Sequence, residues 1–318
     1  MKKTPDQVQN SQGIEQKLLE RIKLCKLPPL QRRSLPFECY WEDSILIQEQ
    51  KLIFSNQWLG LGRADRLETP GEYEVFELCG QSLFLIRDQD NILRLYANTC
   101  RHRGAKLLDG TGQCQAISCP FHGWTYTLDG NLKYAKTMSE NPNFDFSEHS
   151  LIEYKLKELQ GFLFAFLGNQ PTDLDSQLGD FSELHQPWSL NELITTRREV
   201  FEVQCNWKAF LDVFNEYYHL SNIHPTSIDN LYIKPEEADK TTGDYASQFG
   251  FTTGTGALLE AHQSNALPKM ENLGDPWNLG ARYSWVFPNM TFAASQEAIW
   301  VYEANPITSQ SCQVRQSI

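Results

Sequence analysis

The chain has 318 residues, 41% of them hydrophobic, which is enough to bury the cores of two ordinary domains. Its 40 acidic and 28 basic residues give a formal charge of −12, and such a charge repels phosphate backbones and anionic membrane surfaces. We therefore expect no nucleic-acid partner. The apolar runs fall far short of the roughly 20 residues that cross a bilayer, so no membrane span is expected.

The N-terminal residues and the cysteines both favour a cytoplasmic location. Residues 1–17 mix Lys, Asp, Glu and Gln without the apolar stretch of a secretory signal. Cysteines occur at positions 25, 39, 79, 100, 114, 119, 205 and 312, with no dense regular framework. In a reducing compartment such cysteines are more often buried thiols or metal ligands than disulfides.

The first two regions along the chain are predicted to be a helical arm and a β domain. In the arm, residues 1–40, apolar positions between Gln12 and Lys26 follow one face of a helix that Pro28 and Pro29 end. Residues 41–167 change to short β-rich segments separated by turn formers, which predicts a compact antiparallel domain. The clearest of these segments are 82–87, 93–98 and 161–167.

The remaining region, residues 168–318, is predicted to form a second domain after a polar connector at 169–173. A strand at Arg198–Cys205 precedes a helix at Asn206–Leu220, and further strands are predicted at 281–292 and 298–304. The fold class is therefore α+β, with an antiparallel sheet packed around one long helix in the second domain.

Two short loops carry the first chemical constellation. Cys100-Arg101-His102 is followed, after sixteen residues, by the segment Cys119-Pro120-Phe121-His122-Gly123-Trp124. Each loop supplies one thiolate and one imidazole, as a cluster with one sulfur-bound and one nitrogen-bound iron requires. A structural zinc site also accepts two Cys and two His, but its loops usually pair two cysteines and then two histidines.

Both loops resemble those of the Rieske proteins, and Ala105 and Phe121 stand where respiratory members have a disulfide-forming cysteine. The chain is thus identified as similar to Rieske non-heme iron oxygenase alpha subunits. The resemblance implies a Rieske [2Fe-2S] domain at 41–167 and a helix-grip (START/Bet v1-like) catalytic domain at 168–318. It also implies that Cys100 and Cys119 bind one iron of the cluster, whereas His102 and His122 bind the other.

A second constellation follows Asn206. If residues 206–219 are helical, Asp212, Glu216 and His219 share one face, and His224 lies close enough to reach the same metal. Two His and one carboxylate form the facial triad that leaves positions on Fe(II) open for dioxygen and substrate. Taken alone, two such histidines would be ordinary surface or core residues, but the preceding cluster motif reverses that judgement.

The resemblance gives these residues roles in catalysis. It implies that His219 and His224 bind a mononuclear Fe(II), and that Glu216 links this site to a cluster histidine of a neighbouring subunit. Asn206 and Asp212 occupy the matching positions of the family pattern and are catalytic candidates. A carboxylate between two imidazoles holds both tautomers and gives electrons a short hydrogen-bonded route.

The third iron ligand of the family, an aspartate, is not found. The candidates after His224 do not occupy the expected place, which lies beyond the strand at 298–304; they are Asp229, Asp239, Asp244 and Asp275. Alternating residues from Cys312 to Ile318 indicate a strand still under way. We therefore expect a chain truncated at its C-terminus, with weak iron binding and little turnover.

Electrons are expected to come from a separate reductase or ferredoxin. Gly254-Thr255-Gly256 and Gly110-Thr111-Gly112 lack the third glycine of a dinucleotide motif and are interpreted as turns. The resemblance implies a homotrimer, O2 as co-substrate and a small organic substrate. The alternatives are a Rieske electron-transfer protein, a truncated pseudo-enzyme without turnover, and a zinc-stabilised binding module.

Among oxygenases, the chain most resembles choline, carnitine and glycine-betaine monooxygenases. Aromatic walls hold quaternary ammonium groups by cation–π attraction. The candidates for such a wall are Tyr217, Tyr232, Tyr245, Phe249, Tyr283 and Trp285, although aromatic residues here are more often plain core. Aromatic-ring hydroxylation and other demethylations remain open as alternatives.

Overall fold

The computed structural model describes residues 16–28, 30–226, 229, 231–235, 237–252 and 267–318. The start of the predicted arm before residue 16, Pro29 and the turn predicted at 254–256 lie outside these residues. None of the helices in the described ranges is long and apolar enough to cross a bilayer.

The described helices are short. A helix over residues 16–23 (α1) leads into a 3-10 turn at Leu24–Lys26. The other α-helices are α2 (Asp43–Glu49), α3 (Leu174–Leu178), α4 (Phe181–His185), α5 (Trp207–Asp212) and α6 (Leu220–Ile223). A π turn lies at Gln50–Phe54, and 3-10 turns lie at Phe37–Tyr40, Met138–Glu140, Ser147–His149, Gln186–Trp188, Leu190–Glu192, Val213–Asn215 and Trp277–Leu279.

The first half of the chain forms two antiparallel sheets. Its strands are β1 (Trp58–Arg63), β2 (Glu72–Leu78), β3 (Gln81–Arg87), β4 (Leu93–Ala97), β5 (Thr111–Gln113), β6 (Ile117–Ser118), β7 (Thr125–Tyr126), β8 (Leu132–Tyr134), β9 (Glu153–Leu159) and β10 (Phe162–Phe166). Seven of them are ordered β1-β10-β9-β4-β3-β2-β5, and β6-β7-β8 form a small separate sheet. At the β3–β4 turn, Asp88 Oδ1 accepts the N–H groups of Asp90 and Ile92 at 2.9 and 2.8 Å.

The second half forms one antiparallel sheet of seven strands in the order β11-β17-β16-β15-β14-β13-β12. They are β11 (Arg198–Val203), β12 (Tyr232–Pro235), β13 (Tyr245–Thr252), β14 (Gly280–Val286), β15 (Met290–Ala294), β16 (Ile299–Thr308) and β17 (Ser311–Ser317). The single strand predicted at 281–292 is wrong, because β14 and β15 pair as a hairpin there. Pro288 lies in the turn and has no N–H to donate to a ladder.

The continuous helix predicted at Asn206–Leu220 is also wrong. Helix α5 ends at Asp212, a 3-10 turn follows, and Glu216 is extended with φ −148° and ψ 155°. The side chain of Asn215 donates to the Leu211 carbonyl at 2.8 Å and so satisfies a terminal group of α5. The mixed fold of short helices on antiparallel sheets is confirmed, but this segment is one short helix followed by a 3-10 turn and extended backbone.

The two large sheets share hydrophobic cores. Trp58 and Phe164 of the first sheet belong to the same buried cluster as Phe292 and Val301 of the second. In addition, the Asn289 side chain pairs with the Gly60 backbone, accepting its N–H at 2.8 Å and donating to its carbonyl at 3.0 Å. The halves of the described chain are therefore held in a fixed relation by both packing and hydrogen bonds.

A buried charge cluster lies where the sheets meet. Glu303 on β16 is 2% exposed, and its Oε1 has no hydrogen-bond partner among the described residues. Burial raises the pKa of Glu303 to about 7, although Arg66 and Arg315 act to lower it. Glu74 forms ion pairs with both arginines, so these cations are shared between the two carboxylates.

Replacing Glu303 with glutamine is expected to increase stability more at pH 8 than at pH 5. A carboxyl whose pKa rises on folding contributes stability that is present below its unfolded pKa and is lost as pH rises through its folded value of about 7. The free energy of unfolding lost as the pH rises from below the unfolded pKa to above the folded pKa is about 3 kcal/mol. Urea unfolding of both proteins at the two pH values measures the difference, and an equal difference at both pH values contradicts the prediction.

Candidate metal centres

The two Cys-His loops have the same backbone structure. In each loop the cysteine N–H donates to the carbonyl five residues later, at 2.8 Å for both Cys100 and Cys119. The glycine four residues after each cysteine donates back to its carbonyl, at 2.9 Å for Gly104 and 3.0 Å for Gly123. Both glycines have positive φ, +77° and +71°, which favours glycine at these positions. The loops therefore present two equivalent Cys-X-His arms.

The cysteines form the buried side of this centre. Cys100 and Cys119 are 2% and 3% exposed. The Tyr126 hydroxyl lies 3.3 Å from Cys100 Sγ and accepts the Arg101 N–H at 3.0 Å. Burial raises the pKa of Tyr126, so its proton remains available to a thiolate. Burial also raises the pKa of the Cys100 thiol, and the Tyr126 hydrogen bond acts in the opposite direction.

The histidines form the exposed side. The Nδ1 atoms of His102 and His122 lie 3.2 Å apart, close to the ~3.4 Å expected of two nitrogens bound at about 2.1 Å to one tetrahedral metal. The Trp124 ring stacks on His102 with centroids 4.8 Å apart, and Phe121 lies 4.1 Å from His122. Desolvation, followed by the charges of His122 and Arg103, lowers the pKa of His102 and so favours the neutral form that binds metals.

This arrangement fits a two-iron cluster better than a zinc ion. A Cys2His2 zinc site brings four side chains around one point. Within the described ranges, no three His, Cys, Asp or Glu side chains surround a common point. A Rieske cluster needs only two protein ligands on each iron, so paired cysteines and paired histidines satisfy it.

The second pair of histidines flanks the short helix α6. His219 precedes Leu220, the first residue of α6, and His224 follows Ile223, the last. Their ring centroids are 5.6 Å apart. Glu216 Oε1 lies 2.6 Å from His219 Nδ1, and its Oε2 accepts the His219 N–H at 3.1 Å. Because Glu216 occupies Nδ1, the nitrogen left for a metal is Nε2.

Asn206 and Asp212 have other partners. Asn206 caps α5 by accepting the Lys208 N–H at 3.0 Å, and its amide donates to the Ser309 carbonyl at 2.7 Å. Asp212 accepts the Tyr40 hydroxyl at 2.8 Å. Burial raises the pKa of Asp212. These contacts fix the segment that carries Glu216, as expected of residues that position a site. Catalytic roles for Asn206 and Asp212 stay predictions.

A cavity of about 290 Å³ adjoins His219 and His224. Its aromatic wall consists of Phe214, Tyr217, Tyr232, Tyr283, Trp300 and Tyr302. Gln248 also lines it. The site therefore combines two imidazoles with a largely aromatic enclosure.

A third carboxylate ligand is not found in the described part of the chain, where no Asp or Glu completes a group of three with the two histidines. Asp239 instead forms an ion pair with Arg282. The backbone of Asp244 donates to the Gln177 carbonyl at 2.8 Å, and that of Asp229 to the His224 carbonyl at 3.2 Å.

Family models cover both halves of the chain. Residues 57–151 match the Rieske [2Fe-2S] domain, and residues 190–318 match the catalytic domain of the ring hydroxylating alpha subunit. The chain belongs to the Rieske oxygenase alpha subunits. The cofactors of this family are a [2Fe-2S] cluster and a catalytic mononuclear iron, for which the donor sets above fit.

The Rieske oxygenase relatives include enzymes named for quaternary amines. The carnitine monooxygenase oxygenase subunit of Acinetobacter pittii is 31% identical over 221 residues, which are 69% of this chain and 59% of that protein. The glycine betaine monooxygenase oxygenase subunit of Chromohalobacter salexigens is 29% identical over 62% of this chain and 44% of its own length. The chain thus spans less than two thirds of the length of these curated relatives.

Solved structures show the same Rieske oxygenase fold. A quaternary ammonium Rieske monooxygenase in complex with L-carnitine superposes with a TM-score of 0.74 at 26% identity, over 89% of this chain and 74% of that chain. A naphthalene 1,2-dioxygenase from Rhodococcus sp. gives a TM-score of 0.79 at 18% identity, over 96% of this chain and 76% of that chain. The second likeness shows the fold alone.

Among the predicted wall residues of this Rieske oxygenase, Tyr217, Tyr232 and Tyr283 line the cavity. Tyr245 and Phe249 lie in a hydrophobic core instead, and Trp285 donates to the Pro288 carbonyl at 3.0 Å. The lining residues that the sequence reasoning missed include Phe214, Gln248, Trp300 and Tyr302. Trp300 and Tyr302 are two positions apart on one strand, and this spacing was a usable signal because such residues share a face.

Proposed function

We propose that the chain is an oxygenase subunit in which Cys100, His102, Cys119 and His122 hold a Rieske cluster and His219 and His224 hold iron. When bound, the cluster supplies electrons, and the iron activates dioxygen beside the substrate. The observation that carries this proposal is the convergence of both histidine pairs, with Nδ1 atoms 3.2 Å apart in one and rings 5.6 Å apart beside an aromatic cavity in the other.

Glu216 is proposed to orient the iron site and connect it to a cluster. It fixes the tautomer of His219 through Nδ1, and 40% of its side chain remains exposed. The carboxylate therefore has lone pairs free for a second imidazole N–H. His102 and His122 are likewise exposed, so a copy of this chain could present one of them to Glu216.

A homotrimer and a separate reductase or ferredoxin are the proposed partners, and the cytoplasm is the proposed location. One solved relative is described as revealing inter-subunit electron transfer. The exposed positions of Glu216 and the two cluster histidines suit such a transfer in this chain. The eight free cysteines suit a reducing compartment.

The proposed substrate is a small quaternary ammonium compound, which the chain would hydroxylate or demethylate with O2. The aromatic cavity wall offers ring faces to a cation. No Lys or Arg belongs to the described lining of the cavity, so no fixed positive charge opposes a cation there. The names of the relatives agree with this class, whereas the likeness to the naphthalene enzyme extends only to the fold.

Oxygen uptake tests the proposal. The purified chain, loaded with cluster and excess Fe(II), is supplied with a reductase and given glycine betaine, carnitine, choline or naphthalene. We expect a Rieske absorption spectrum and oxygen uptake that depends on one of the quaternary amines. About two iron atoms per chain with no uptake on any compound would instead favour an electron-transfer protein. A colourless protein that contains zinc would overturn the cluster itself.

A further inference from the structure

The cavity beside His219 and His224 has two chemically different ends. Trp300 and Tyr302 line it from β16, whereas Gln248 and Tyr283 line it from β13 and β14. In the sheet β15 and β14 separate β16 from β13, and Gln248 is paired directly opposite Tyr283. At ~4.8 Å between neighbouring strands, the backbones that carry the two walls lie about 10–14 Å apart. Their side chains line the same cavity of about 290 Å³, so one ligand in it is within reach of both.

The β16 end offers aromatic faces. The rings of Tyr302 and Phe214 stack with centroids 4.9 Å apart and an angle of 28° between their planes. The Tyr302 hydroxyl accepts a hydrogen bond from Gln316 Nε2 at 3.0 Å, so its polar group already has a partner. This end suits a desolvated cation without hydrogen-bonding groups.

The β13–β14 end offers hydrogen-bond donors. The hydroxyls of Tyr232 and Tyr283 bond to each other, which uses one of their two protons. The other proton has no acceptor among the described residues. The neighbouring Tyr217 hydroxyl is buried and has no partner in the described ranges, and the Tyr217 ring lies 5.1 Å from that of Tyr232. The Gln248 amide, also at this end, forms no hydrogen bond with the described part of the chain.

We propose that Gln248 and the Tyr232–Tyr283 hydroxyl pair recognise an oxygen acceptor at one end of the substrate while the aromatic end holds its quaternary nitrogen. The inference rests on the proposed function and deepens it by naming the specificity-determining residues. The ligand class is a quaternary ammonium compound that carries a carboxylate or hydroxyl oxygen. A cation with no oxygen cannot satisfy the donors at the β13–β14 end.

The energetic reason is the cost of unpaired donors. A buried group that loses its hydrogen-bond partner is destabilised more than a well-made hydrogen bond contributes. A site built to bond a substrate oxygen therefore discriminates strongly against an analogue that lacks it. The ring faces, by contrast, bind both kinds of cation alike.

The test measures binding of tetramethylammonium and glycine betaine to the iron-loaded chain by calorimetry. The single variant Gln248→Met and the double variant Tyr232→Phe/Tyr283→Phe remove the donors with little change in side-chain volume. Both tyrosines are replaced because removing one hydroxyl of the bonded pair would release the proton of the other. We expect each to weaken glycine betaine binding about tenfold and to change tetramethylammonium binding less than twofold. The matched control is Tyr154→Phe, which removes a hydroxyl that bonds Gln81 at 2.8 Å, far along the chain in the first sheet. It should change neither affinity.

Retained tetramethylammonium binding shows that each variant is folded. If neither ligand weakens, or if glycine betaine weakens no more than tetramethylammonium, the donors do not recognise an oxygen and the inference is overturned. Binding of both ligands by the unmodified chain then still supports the proposed substrate class. If the unmodified chain binds neither ligand, the proposed substrate class fails, and this inference fails with it. The two failures are therefore distinguishable.

Discussion

Replacing His102 with alanine is expected to remove the [2Fe-2S] cluster and abolish reductase-driven oxygen uptake. His102 and His122 approach each other within 3.2 Å at Nδ1, and both are needed to complete one iron. Losing one ligand leaves that iron open to water. Iron and acid-labile sulfide should fall below about a tenth of the unmodified content, as measured by metal analysis and visible absorption.

The matched control is His149→Ala. His149 also contacts Trp124, with centroids 5.6 Å apart, but lies outside both Cys-His loops. Its removal should preserve the spectrum. A second variant, His102→Cys, offers a thiolate donor and should keep iron while lowering the reduction potential, because it adds negative charge. An unchanged spectrum in His102→Ala would refute the assignment of His102 as a ligand.

Replacing Glu216 with glutamine is expected to slow turnover about 10- to 100-fold while both metal centres stay loaded. Glu216 accepts from His219 at Nδ1 and at the backbone N–H, and a carboxylate can accept a further imidazole N–H on its exposed side. In glutamine one of the two carboxylate oxygens is replaced by an NH2 group, which donates and cannot accept the second imidazole N–H. The rate at which the reduced cluster is reoxidised with substrate present, followed by stopped-flow absorption, measures this slowing.

The control for this variant is Glu192→Gln, which removes the charge of an exposed glutamate elsewhere in the second half of the chain. It should reoxidise at the unmodified rate. If Glu216→Gln reoxidises equally fast, Glu216 carries no electron route. If it instead loses the mononuclear iron, its role is to hold His219 and not to connect two centres.

The cluster loops illustrate what could be predicted from the sequence. Cys100, His102, Cys119 and His122 stand in two short segments whose spacing sets the local geometry, so the motif alone indicated the cluster chemistry. The iron segment was harder. Its histidines were picked out by spacing, but the continuous helix was wrong because Asn215 caps α5 and Glu216 becomes extended. Helix propensity does not register such a local side-chain cap.

By itself, the sequence determined the family, the mixed fold and the candidate metal ligands, because short motifs and strand periodicity are local properties. Only the tertiary structure decided which aromatic residues enclose the cavity. Tyr245 and Tyr283 are both strand tyrosines, yet Tyr245 packs into the core and Tyr283 lines the cavity that His219 also lines. Which face of a sheet becomes a site depends on what packs against it, and the approach of Gln248 and Trp300 across several strands arises only when the sheet forms.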